Sequence, residues 1–383
     1  MTEVSVVRCE SYEAESCERA LREVLAPLGG LDWVKAGMRI VIKANLVSAM
    51  KPETAAATHP ALIAALSREL IKRGAQVVVG DSSGGLYTAA AMNHVYSVTG
   101  MREVEASGAR LNQDFSQKNA DYPQARAAKH FAYTAYLDNA DAIISFCKLK
   151  SHGMMSLSAA TKNFFGAVPG TIKPEYHFRF PDPMDFAAML IDLNEYFKPR
   201  LYLVDGVTAM EGNGPTAGTP RHMGVLLAGT DCHRVDLICA KLIGLEPMAV
   251  PTLRAAANFG LIPESADAVE VFGDVNALVA PDFQRIERGR GFQFENVLSG
   301  KAGILFGKLA KKALRSTPVL EKDICVGCGY CARLCPAKAI TIVQKKAKID
   351  RKKCIRCFCC QEFCPKGAMK VRRPLPARIL NRS

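Results

Sequence analysis

The sequence predicts a mostly parallel α/β sheet with crossover helices, followed by a small cysteine-rich module at the C-terminal end. From Val4 to about residue 272, short apolar runs rich in β-branched residues alternate with helical stretches, a rhythm typical of βαβ units. Nine of the 14 cysteines then fall between Cys325 and Cys364. A chain of 383 residues is long enough for a large domain and an accessory module, so we expect two structural units.

Six apolar runs are the predicted strands of the sheet. In chain order they are VSVVR, MRIVIKANLV, QVVVGD, AIISFC, LYLVDGV and MGVLLAG. The helix between the second and third strands begins at Pro60 after Thr58 and ends at Gly74, which are common start and stop residues. Further helices are expected around residues 14–27, 157–165, 183–197 and 231–243.

The alternating rhythm stops after residue 284, which sets the predicted domain boundaries. We expect an α/β domain over residues 1–284, a linker over 285–316 and the cysteine-rich module over 317–373. The linker contains KAGILFGKLAKKALRS, whose apolar residues recur at helical spacing among basic residues. This basic amphipathic helix is interpreted as a strut that docks the module, and attachment to a membrane surface stays open as an alternative.

One cysteine pattern occurs twice, 29 residues apart. Both copies fit C-x2-C-x2-C-x3-C-P without a gap, which is the run found in bacterial-type ferredoxins, small α+β modules with two [4Fe-4S] clusters. Thiolates are the soft ligands that iron-sulfur clusters need, and the fourth cysteine of each copy ligates the cluster of the other copy. The expected ligands are Cys325, Cys328, Cys331 and Cys364 for cluster 1, and Cys354, Cys357, Cys360 and Cys335 for cluster 2.

Alternatives to these roles of the cysteines were weighed. Zinc sites favour pairs of C-x-x-C and close with four ligands, which leaves the cysteine triplets unexplained. Cys359 lies between expected ligands, and a register in which it replaces Cys360 stays open, although the repeat favours Cys360. Cys147 follows a predicted strand and is interpreted as a small buried hydrophobe rather than a reactive thiol.

The net charge of +13 is concentrated at the C-terminal end. Residues 301–383 carry 21 Lys and Arg against four Asp and Glu, so this segment is +17 and residues 1–300 are −4. The negative charge of iron-sulfur clusters offsets part of the excess, and the remainder favours an acidic redox partner protein, either electron donor or acceptor. Nucleic acid is a less favoured partner, because no groove-reading motif or aromatic platform accompanies the charge.

The sequence gives no sign of a membrane span or an export signal. No stretch approaches the roughly 18 uninterrupted apolar residues of a transmembrane helix. The start, MTEVSVVRCE, lacks the basic-then-apolar layout of a signal peptide. We therefore expect a cytoplasmic protein without a transmembrane segment.

The segment FCKLKSHG holds the strongest candidate catalytic residues of the α/β domain. If the strand persists, Lys148, Lys150 and His152 fall on one face, and Lys162 and Asn163 follow on the next helix. A cationic cluster in a cleft indicates an anionic small-molecule ligand, with a general acid among the four basic residues. The alternative is a solvated basic face.

Further polar residues lie where strands should end, the edge at which open α/β sheets bind ligands. The turn GDSSGG offers hydroxyls and backbone donors for an oxyanion, and the polar stretch of VDGVTAMEGNGPTAGTPR follows a strand. Asp81, Asp205 and Glu211 together provide ligands for a divalent metal, and a flavin is compatible with the sequence. The ligand-binding candidates are Lys43, Asn45, His59, Asp81, Ser82, Ser83, Asn163, His177, Asp205, Glu211, Asn213 and Arg221.

These motifs carry a family resemblance. THP, GDSSGG, KLKSH followed by TKNFFG, and DGVTAMEGNGPTAGTPR resemble the family called domain of unknown function 362, over nearly all of residues 1–275. The resemblance implies a Rossmann-like α/β fold, an iron-sulfur cluster-binding protein and a distant likeness to the amino-terminal part of lactate racemase-type proteins. The chain reads KANLV where the family more often reads KPNLV, which leaves Lys43 and Asn45 in place.

Three functions are compatible with this organisation. In the first, an oxidoreductase passes electrons through two [4Fe-4S] clusters to an anionic substrate or cofactor in the α/β domain. In the second, the protein is a non-enzymatic electron carrier or redox sensor. In the third, which follows from the racemase likeness, a proton-transfer enzyme uses Lys or His bases and its clusters are structural.

Overall fold

The computed structural model describes residues 2–285 and 317–372. The first range contains a large α/β domain. Its strands are β1 Val4–Arg8, β2 Arg39–Lys43, β3 Gln76–Gly80, β4 Arg110–Leu111, β5 Gln117–Asp121, β6 His130–Thr134, β7 Ala142–His152, β8 Ser156–Ser158, β9 Leu201–Glu211, β10 Thr219–Gly229 and β11 Val271–Phe272.

The α-helices of this range fill the connections between the strands. Four expected helices are present: those around residues 14–27, 183–197 and 231–243, and the one that begins at Pro60. Residues 157–165 were expected to form one helix, but they contain the end of a short strand and a one-turn helix. The helices are α1 Ala14–Leu25, α2 Pro60–Lys72, α3 Ala89–Val98, α4 Ala160–Asn163, α5 Lys173–Arg179, α6 Pro183–Phe197, α7 Cys232–Leu242 and α8 Pro251–Asn258.

Nine strands form one mixed, mostly parallel sheet. Their order is β11-β1-β10-β9-β7-β2-β3-β4, with β8 paired to β7. All six predicted strands are present, and the five strands β9, β7, β2, β3 and β4 run parallel to one another. β10 is antiparallel to both β9 and β1. The reason is that residues 212–218 join β9 to β10 directly, and so short a connection cannot make a parallel crossover.

The predicted ends of three strands differ from the structure. β2 stops at Lys43 instead of running through the KANLV segment. β9 continues to Glu211 and β10 already begins at Thr219, so much of the predicted polar loop belongs to two long paired strands. Polar and small residues are tolerated there because the ladder hydrogen bonds, rather than apolar alternation, hold the pair together.

Both faces of the sheet are buried. On β2, Ile40 and Ile42 pack with the hydrophobic core that contains α1 and α2, whereas Val41 packs with the core on the opposite face. This alternation is the two-residue period of a strand. Cys147 on β7 is 1% exposed, and burial raises its pKa well above the ordinary thiol range, as expected for a buried hydrophobe. Helices therefore cover the sheet on both sides, and its ligand-binding potential lies at the strand ends.

The C-terminal module has two small antiparallel strand pairs and two one-turn helices. β12 pairs with β15, and β13 pairs with β14. Each helix carries cysteines of one copy of the repeat, which explains the symmetry of the module. The elements are β12 Thr317–Leu320, α9 Tyr330–Arg333, β13 Ile340–Val343, β14 Lys346–Ile349, α10 Cys359–Glu362 and β15 Met369–Arg372.

Some sequence predictions lie outside the described residues. The basic amphipathic helix of the expected linker is one of them, and apart from Arg285 so is the linker itself. Within residues 2–285 and 317–372, no helix has the length and apolar character needed to cross a membrane. The cytoplasmic location and the domain boundaries stay predictions.

Candidate functional site

Two cavities in the module are each lined by four of the expected ligand cysteines. Cys325, Cys328, Cys331 and Cys364 line a space of about 350 Å³. Cys335, Cys354, Cys357 and Cys360 line a second space of about 330 Å³. In both cavities the fourth cysteine comes from the other copy of the repeat. Four thiols around one space are the donor set that a [4Fe-4S] cluster needs, so these residues fit the cofactor that the spacing implies.

Backbone donors point at the fourth cysteine of each set. Ala339 N donates to Cys335 Sγ and Ala368 N donates to Cys364 Sγ, both over 3.2 Å. Hydrogen bonds to ligand sulfurs stabilise the thiolate and tune a bound cluster. Cys359 is 1% exposed and lines the same cavity as Cys360, so the structure leaves its role for experiment.

The module packs against the sheet at the carboxyl ends of β3 and β9. A Cβ atom on Gly84 would lie 1.8 Å from the Phe363 ring, and one on Gly85 would lie 2.3 Å from Tyr330 Oη. The GDSSGG turn is therefore a contact surface for the module, and its glycines permit the close approach. It was expected to hold an oxyanion, but Ser82 Oγ instead accepts a hydrogen bond from Gly170 N at 2.7 Å.

The loop between β9 and β10 makes the second contact with the module. Gln361 Nε2 donates to Asn213 O at 2.6 Å and Gly214 O at 3.2 Å. Thr216 Oγ1 donates to Glu362 O at 3.0 Å. Asn213, an expected ligand-binding residue, thus contributes its backbone to holding the module in place.

We expect Gly84→Ala to loosen this interface, because the new methyl group would overlap the buried Phe363 ring. Amide hydrogen exchange should become faster in peptides that cover residues 212–218 and 359–363. Leu86→Ala is the matched control, since Leu86 is 64% exposed two residues away. Unchanged exchange in Gly84→Ala would contradict the contact, and the double variant Gly84→Ala/Phe363→Ala should restore slow exchange.

Lys43 and Asp81 form a fully buried ion pair at the ends of β2 and β3. Lys43 Nζ lies 2.7 Å from Asp81 Oδ1 and also contacts Asn163 Oδ1 at 3.3 Å. Asp81 Oδ2 accepts from Leu46 N at 2.7 Å. Asn163 donates to Lys43 O and Ser145 Oγ, so this expected ligand-binding amide fixes the pair in place.

A second buried network surrounds Asp205. Lys148 Nζ lies 2.6 Å from Asp205 Oδ2, and Tyr12 Oη donates to Asp205 Oδ1 at 3.0 Å. His59 N donates to the same carboxylate at 2.9 Å, and the His59 ring stacks on Tyr12 at 3.6 Å. Burial lowers the pKa of His59 to about 4. Lys148, an expected catalytic residue, is therefore paired within the fold.

Lys150 is buried, and among the described residues it has no ion-pair partner at contact distance. Its ammonium donates to Asn45 Oδ1 at 2.6 Å and to Ala56 O at 2.8 Å. Burial, and next the charge of Lys162, lower the pKa of Lys150 to about 7. The side chain can therefore exchange a proton near neutral pH. The alternative that these lysines form a solvated basic face is ruled out because all three are buried. Their exposed fractions are 1% for Lys148, 0% for Lys150 and 7% for Lys162.

Two cations and an imidazole surround the ring of Phe165. Lys162 Nζ lies 5.6 Å and Lys173 Nζ 5.7 Å from the ring centroid, within the range of cation–π attraction. The His177 ring meets Phe165 edge-on at 5.4 Å and stacks on Phe186 at 4.6 Å. Burial lowers the pKa of Lys173 to about 8. The structure thus brings Lys162 and His177 together and adds Lys173.

His177 is completely buried, and neither ring nitrogen has a hydrogen-bond partner among the described residues. Burial lowers its pKa to about 4, although the charge of Glu362 acts in the opposite direction. The neutral ring at pH 7 has one donor and one acceptor. Buried polar groups are normally paired, so this imidazole marks a place where a partner is missing.

Glu362 on α10 of the module interacts electrostatically with these basic groups. Burial raises the pKa of its carboxyl, but the charges of Lys162, His177, Lys173 and Lys150 outweigh that effect, and the pKa is lowered overall. We call these five residues the cationic cleft. This set contains residues of both the α/β domain and the module.

Other expected site residues have separate partners. His152 Nδ1 accepts from Met154 N and Met155 N, both at 3.1 Å, and so stabilises the turn between β7 and β8. Ser83 Oγ contacts Met92 Sδ at 3.4 Å. Arg221 makes an exposed ion pair with Asp282 at 2.8 Å.

The proposed divalent-metal set is not assembled. Asp81 is paired with Lys43, Asp205 with Lys148, and Glu211 accepts from Gln284 N at 3.0 Å. Each of the three carboxylates has its own partner, and within the described parts of the chain they do not form a group that could hold one metal ion. The prediction that these three residues bind one metal is therefore wrong.

The sequence analysis missed Lys173, Gln361 and Glu362. Lys173 lies four residues before His177 on α5, which places both on one helix face. Glu362 is the one acidic residue within either cysteine run of the sequence. That isolated charge was the available signal, although nothing in the spacing tells which basic groups it meets.

Comparisons with known proteins agree with the two-part organisation. The family model described as Domain of unknown function (DUF362) matches residues 40–241, and the model described as 4Fe-4S dicluster domain matches residues 317–365. Both matches confirm the resemblance seen in the sequence. The thylakoid-associated protein sll1697 of Synechocystis sp. is 33% identical over 271 residues, 69% of this chain and 81% of that protein.

Two solved structures are similar to part of the chain. The lactate racemase apoprotein from Thermoanaerobacterium thermosaccharolyticum has a TM-score of 0.39 and 11% identity over 62% of this chain and 56% of its own. A protein from Thermotoga maritima has a TM-score of 0.36 and 13% identity over 56% of this chain and 55% of its own. Each match spans little more than half of the solved chain.

Proposed function

Because the chain belongs to the family described as Domain of unknown function (DUF362) and carries a 4Fe-4S dicluster domain, we propose that it is an oxidoreductase that delivers electrons to an anionic ligand in the cationic cleft. Two [4Fe-4S] clusters, when bound, accept and release single electrons. The α/β domain supplies the basic groups that hold the ligand.

The observation that carries this proposal is the position of α10. This one-turn helix holds Cys360, an expected cluster ligand, and Glu362, whose charge interacts with the basic groups of the cleft. Two residues correspond to about 3 Å along a helix axis. A ligand in the cleft would therefore lie next to the cluster cavity, which is the arrangement that electron transfer requires.

The charges of the cleft favour an anion. The negative charge of Glu362 acts on three lysines, Lys150, Lys162 and Lys173. Asp81 also acts on Lys173, but its carboxylate is already paired with Lys43. Buried cations in excess over carboxylates are stabilised by an anionic ligand. Lys162 and Lys173 would bind its charge, and Lys150 would supply a proton as the electrons arrive.

Electrons would reach the clusters from an acidic redox protein, because the segment that contains the module is strongly basic. Lys148 has a positioning role in this proposal, since its ion pair with Asp205 fixes β7 and therefore Lys150. A flavin in the cleft stays a prediction.

We expect Lys162→Gln to slow the oxidation of reduced protein by a cleft-binding acid about tenfold or more, because a charged hydrogen bond to the ligand is lost. Anaerobically reduced holoprotein would be mixed with 2-oxo, 2-hydroxy and unsaturated carboxylic acids, and reoxidation followed by visible absorbance. Lys348→Gln, which removes an exposed lysine of the module, is the matched control.

The proposal fails if no acid reoxidises the protein faster than buffer does, or if both lysine variants react alike. The second result would favour the electron carrier or sensor, in which the cleft takes no part in the redox reaction.

A proton-transfer enzyme is the second candidate, favoured by the pKa of about 7 of Lys150. Exchange of a substrate C–H proton with solvent deuterium, measured by NMR in the oxidised protein without any reductant, would support it. If the acids that reoxidise the clusters show no exchange of C–H protons with solvent deuterium, the result would favour the oxidoreductase over the proton-transfer enzyme.

A further inference from the structure

The residues that line the two cluster cavities differ in their exposure to solvent. Of the described residues around the cavity of cluster 1, five side chains or residues are exposed, namely Val326, Cys328, Ile342, Pro365 and Lys366. Of the described residues around the cavity of cluster 2, none is exposed. The surface that an approaching molecule meets beside the clusters is therefore concentrated at cluster 1.

The surroundings of cluster 2 continue into the α/β domain. Phe358 lines the cavity of cluster 2, is 4% exposed and belongs to the same hydrophobic core as Leu149 and Met154 of that domain. The helix α10, which carries Cys360 of the same cavity, is bonded to the loop after β9 through Gln361. Cluster 2 is thus the one that faces inward.

Two exposed aliphatic side chains lie beside cluster 1. Val326 is 58% exposed and lies between two expected ligands of that cluster, and Ile342 is 37% exposed and comes from β13. Both line the cavity together with the exposed Cys328. An apolar centre of this kind, with polar groups around it, is typical of a protein–protein interface. We call Val326, Cys328, Ile342 and Lys366 the cluster 1 face.

Basic groups border this apolar centre. Lys346 Nζ donates to Cys325 O at 2.7 Å, and Arg333 Nη1 donates to Cys328 O at 3.3 Å. Lys366 is exposed and lines the cavity itself. The described part of the module carries 13 Lys and Arg against four Asp and Glu. Such a surface is complementary to an apolar patch bordered by carboxylates.

We propose that the cluster 1 face is the docking surface of an acidic one-electron carrier protein, so that electrons enter at cluster 1 and leave toward the α/β domain from cluster 2. One electron passes from the reduced centre of the carrier to cluster 1, while no covalent bond changes and no proton is transferred. This inference rests on the proposed function in taking the clusters as electron carriers. It adds the docking surface and the order of the two clusters.

Other occupants of the cluster 1 face are less well matched. A second copy of the chain would bring two basic faces together, and like charges repel across an interface. Nucleic acid has the complementary charge, but none of the exposed side chains around the cavity of cluster 1 is an aromatic ring on which a base could stack.

The first test is calorimetric titration of an acidic plant-type [2Fe-2S] ferredoxin into anaerobic, cluster-loaded full-length protein, with both proteins oxidised. We expect Val326→Glu and Ile342→Glu each to raise the Kd about tenfold, because each puts a repulsive charge into the apolar centre. Phe272→Glu is the matched control, since Phe272 is 49% exposed on β11 of the α/β domain. Iron analysis establishes loading, and Ile342→Glu lies outside both cysteine runs.

A pair of charge reversals separates the two clusters. Lys366 lines the cavity of cluster 1, whereas Lys353 is exposed beside Cys354, an expected ligand of cluster 2. Lys366→Glu should weaken ferredoxin binding more than Lys353→Glu does. In stopped-flow measurements, reduced ferredoxin below saturation should reduce Val326→Glu about tenfold more slowly than the natural chain, whereas dithionite should reduce both at the same rate.

No binding of ferredoxin to the natural chain would overturn the inference, as would unchanged binding in both aliphatic variants or equal weakening by the two charge reversals. A dimer in sedimentation that Val326→Glu dissociates would assign the face to a second copy instead. Tighter binding of a single-stranded oligonucleotide than of ferredoxin would assign it to nucleic acid.

The titration involves neither electron transfer nor an acid ligand, so its failure is distinct from that of the proposed function. A protein that binds ferredoxin at the cluster 1 face but is reoxidised by no acid would contradict the oxidoreductase alone.

Discussion

Replacing Cys360 with alanine is expected to remove about four of the eight irons that two [4Fe-4S] clusters contain. Cys360 lines the same cavity as Cys335, Cys354 and Cys357, and loss of one of four thiolates leaves a cluster without a full ligand set. Iron and sulfide analysis of anaerobically purified protein measures the loss. Magnetic coupling between two reduced clusters in the EPR spectrum should vanish with it.

Cys359→Ala is the matched control for this variant. Cys359 lies one residue away, is buried to a similar degree and lines the same cavity, yet it falls outside the repeated spacing. We expect the control to keep all of its iron. If Cys359→Ala loses half of the iron and Cys360→Ala keeps it, the two cysteines have exchanged roles and the register inferred from the repeat is wrong.

Replacing Asp205 with asparagine should destabilise the α/β domain by about 3–5 kcal/mol, the usual effect of leaving one partner of a buried ion pair uncompensated. The carboxylate accepts from Tyr12 Oη, His59 N and Val207 N as well as pairing with Lys148. Asparagine keeps the shape but removes the negative charge that all these donors face.

Urea unfolding followed by far-UV circular dichroism measures this effect, with the cluster absorbance recorded separately because two units need not unfold together. Asp282→Asn is the control, since its ion pair with Arg221 is exposed, and such pairs contribute about 0–1 kcal/mol. A loss below about 1 kcal/mol in Asp205→Asn would show that Lys148 sheds its proton at little cost.

The fold was largely predictable because its determinants are local. β-Branched runs marked all six predicted strands, and the repeat spacing marked the cysteines that line each cavity. The antiparallel direction of β10 was not predictable. It depends on the short connection between β9 and β10, and the polar, turn-rich sequence of that segment does not show where either strand ends.

The site was only partly predictable because its determinants are long-range. The sequence assigned Lys148 to the segment that forms β7, but its partner Asp205 lies on β9, and only the order of strands in the sheet makes β7 and β9 neighbours. The electrostatic interaction of Glu362 with Lys162 and Lys173 depends on how the module packs on the domain. No periodicity in either segment encodes that packing.

The brevity of α10 has a consequence for how the protein matures in the cell. A four-residue helix has almost no stability of its own, so its shape depends on the cysteines around it being held by their metal centre. Before iron and sulfide are inserted, α10 would not be formed, and Glu362 would not have a fixed position in the cleft. Under the proposed function, a chain that has not received its clusters would therefore bind and reduce a ligand in the cleft less well than the mature protein.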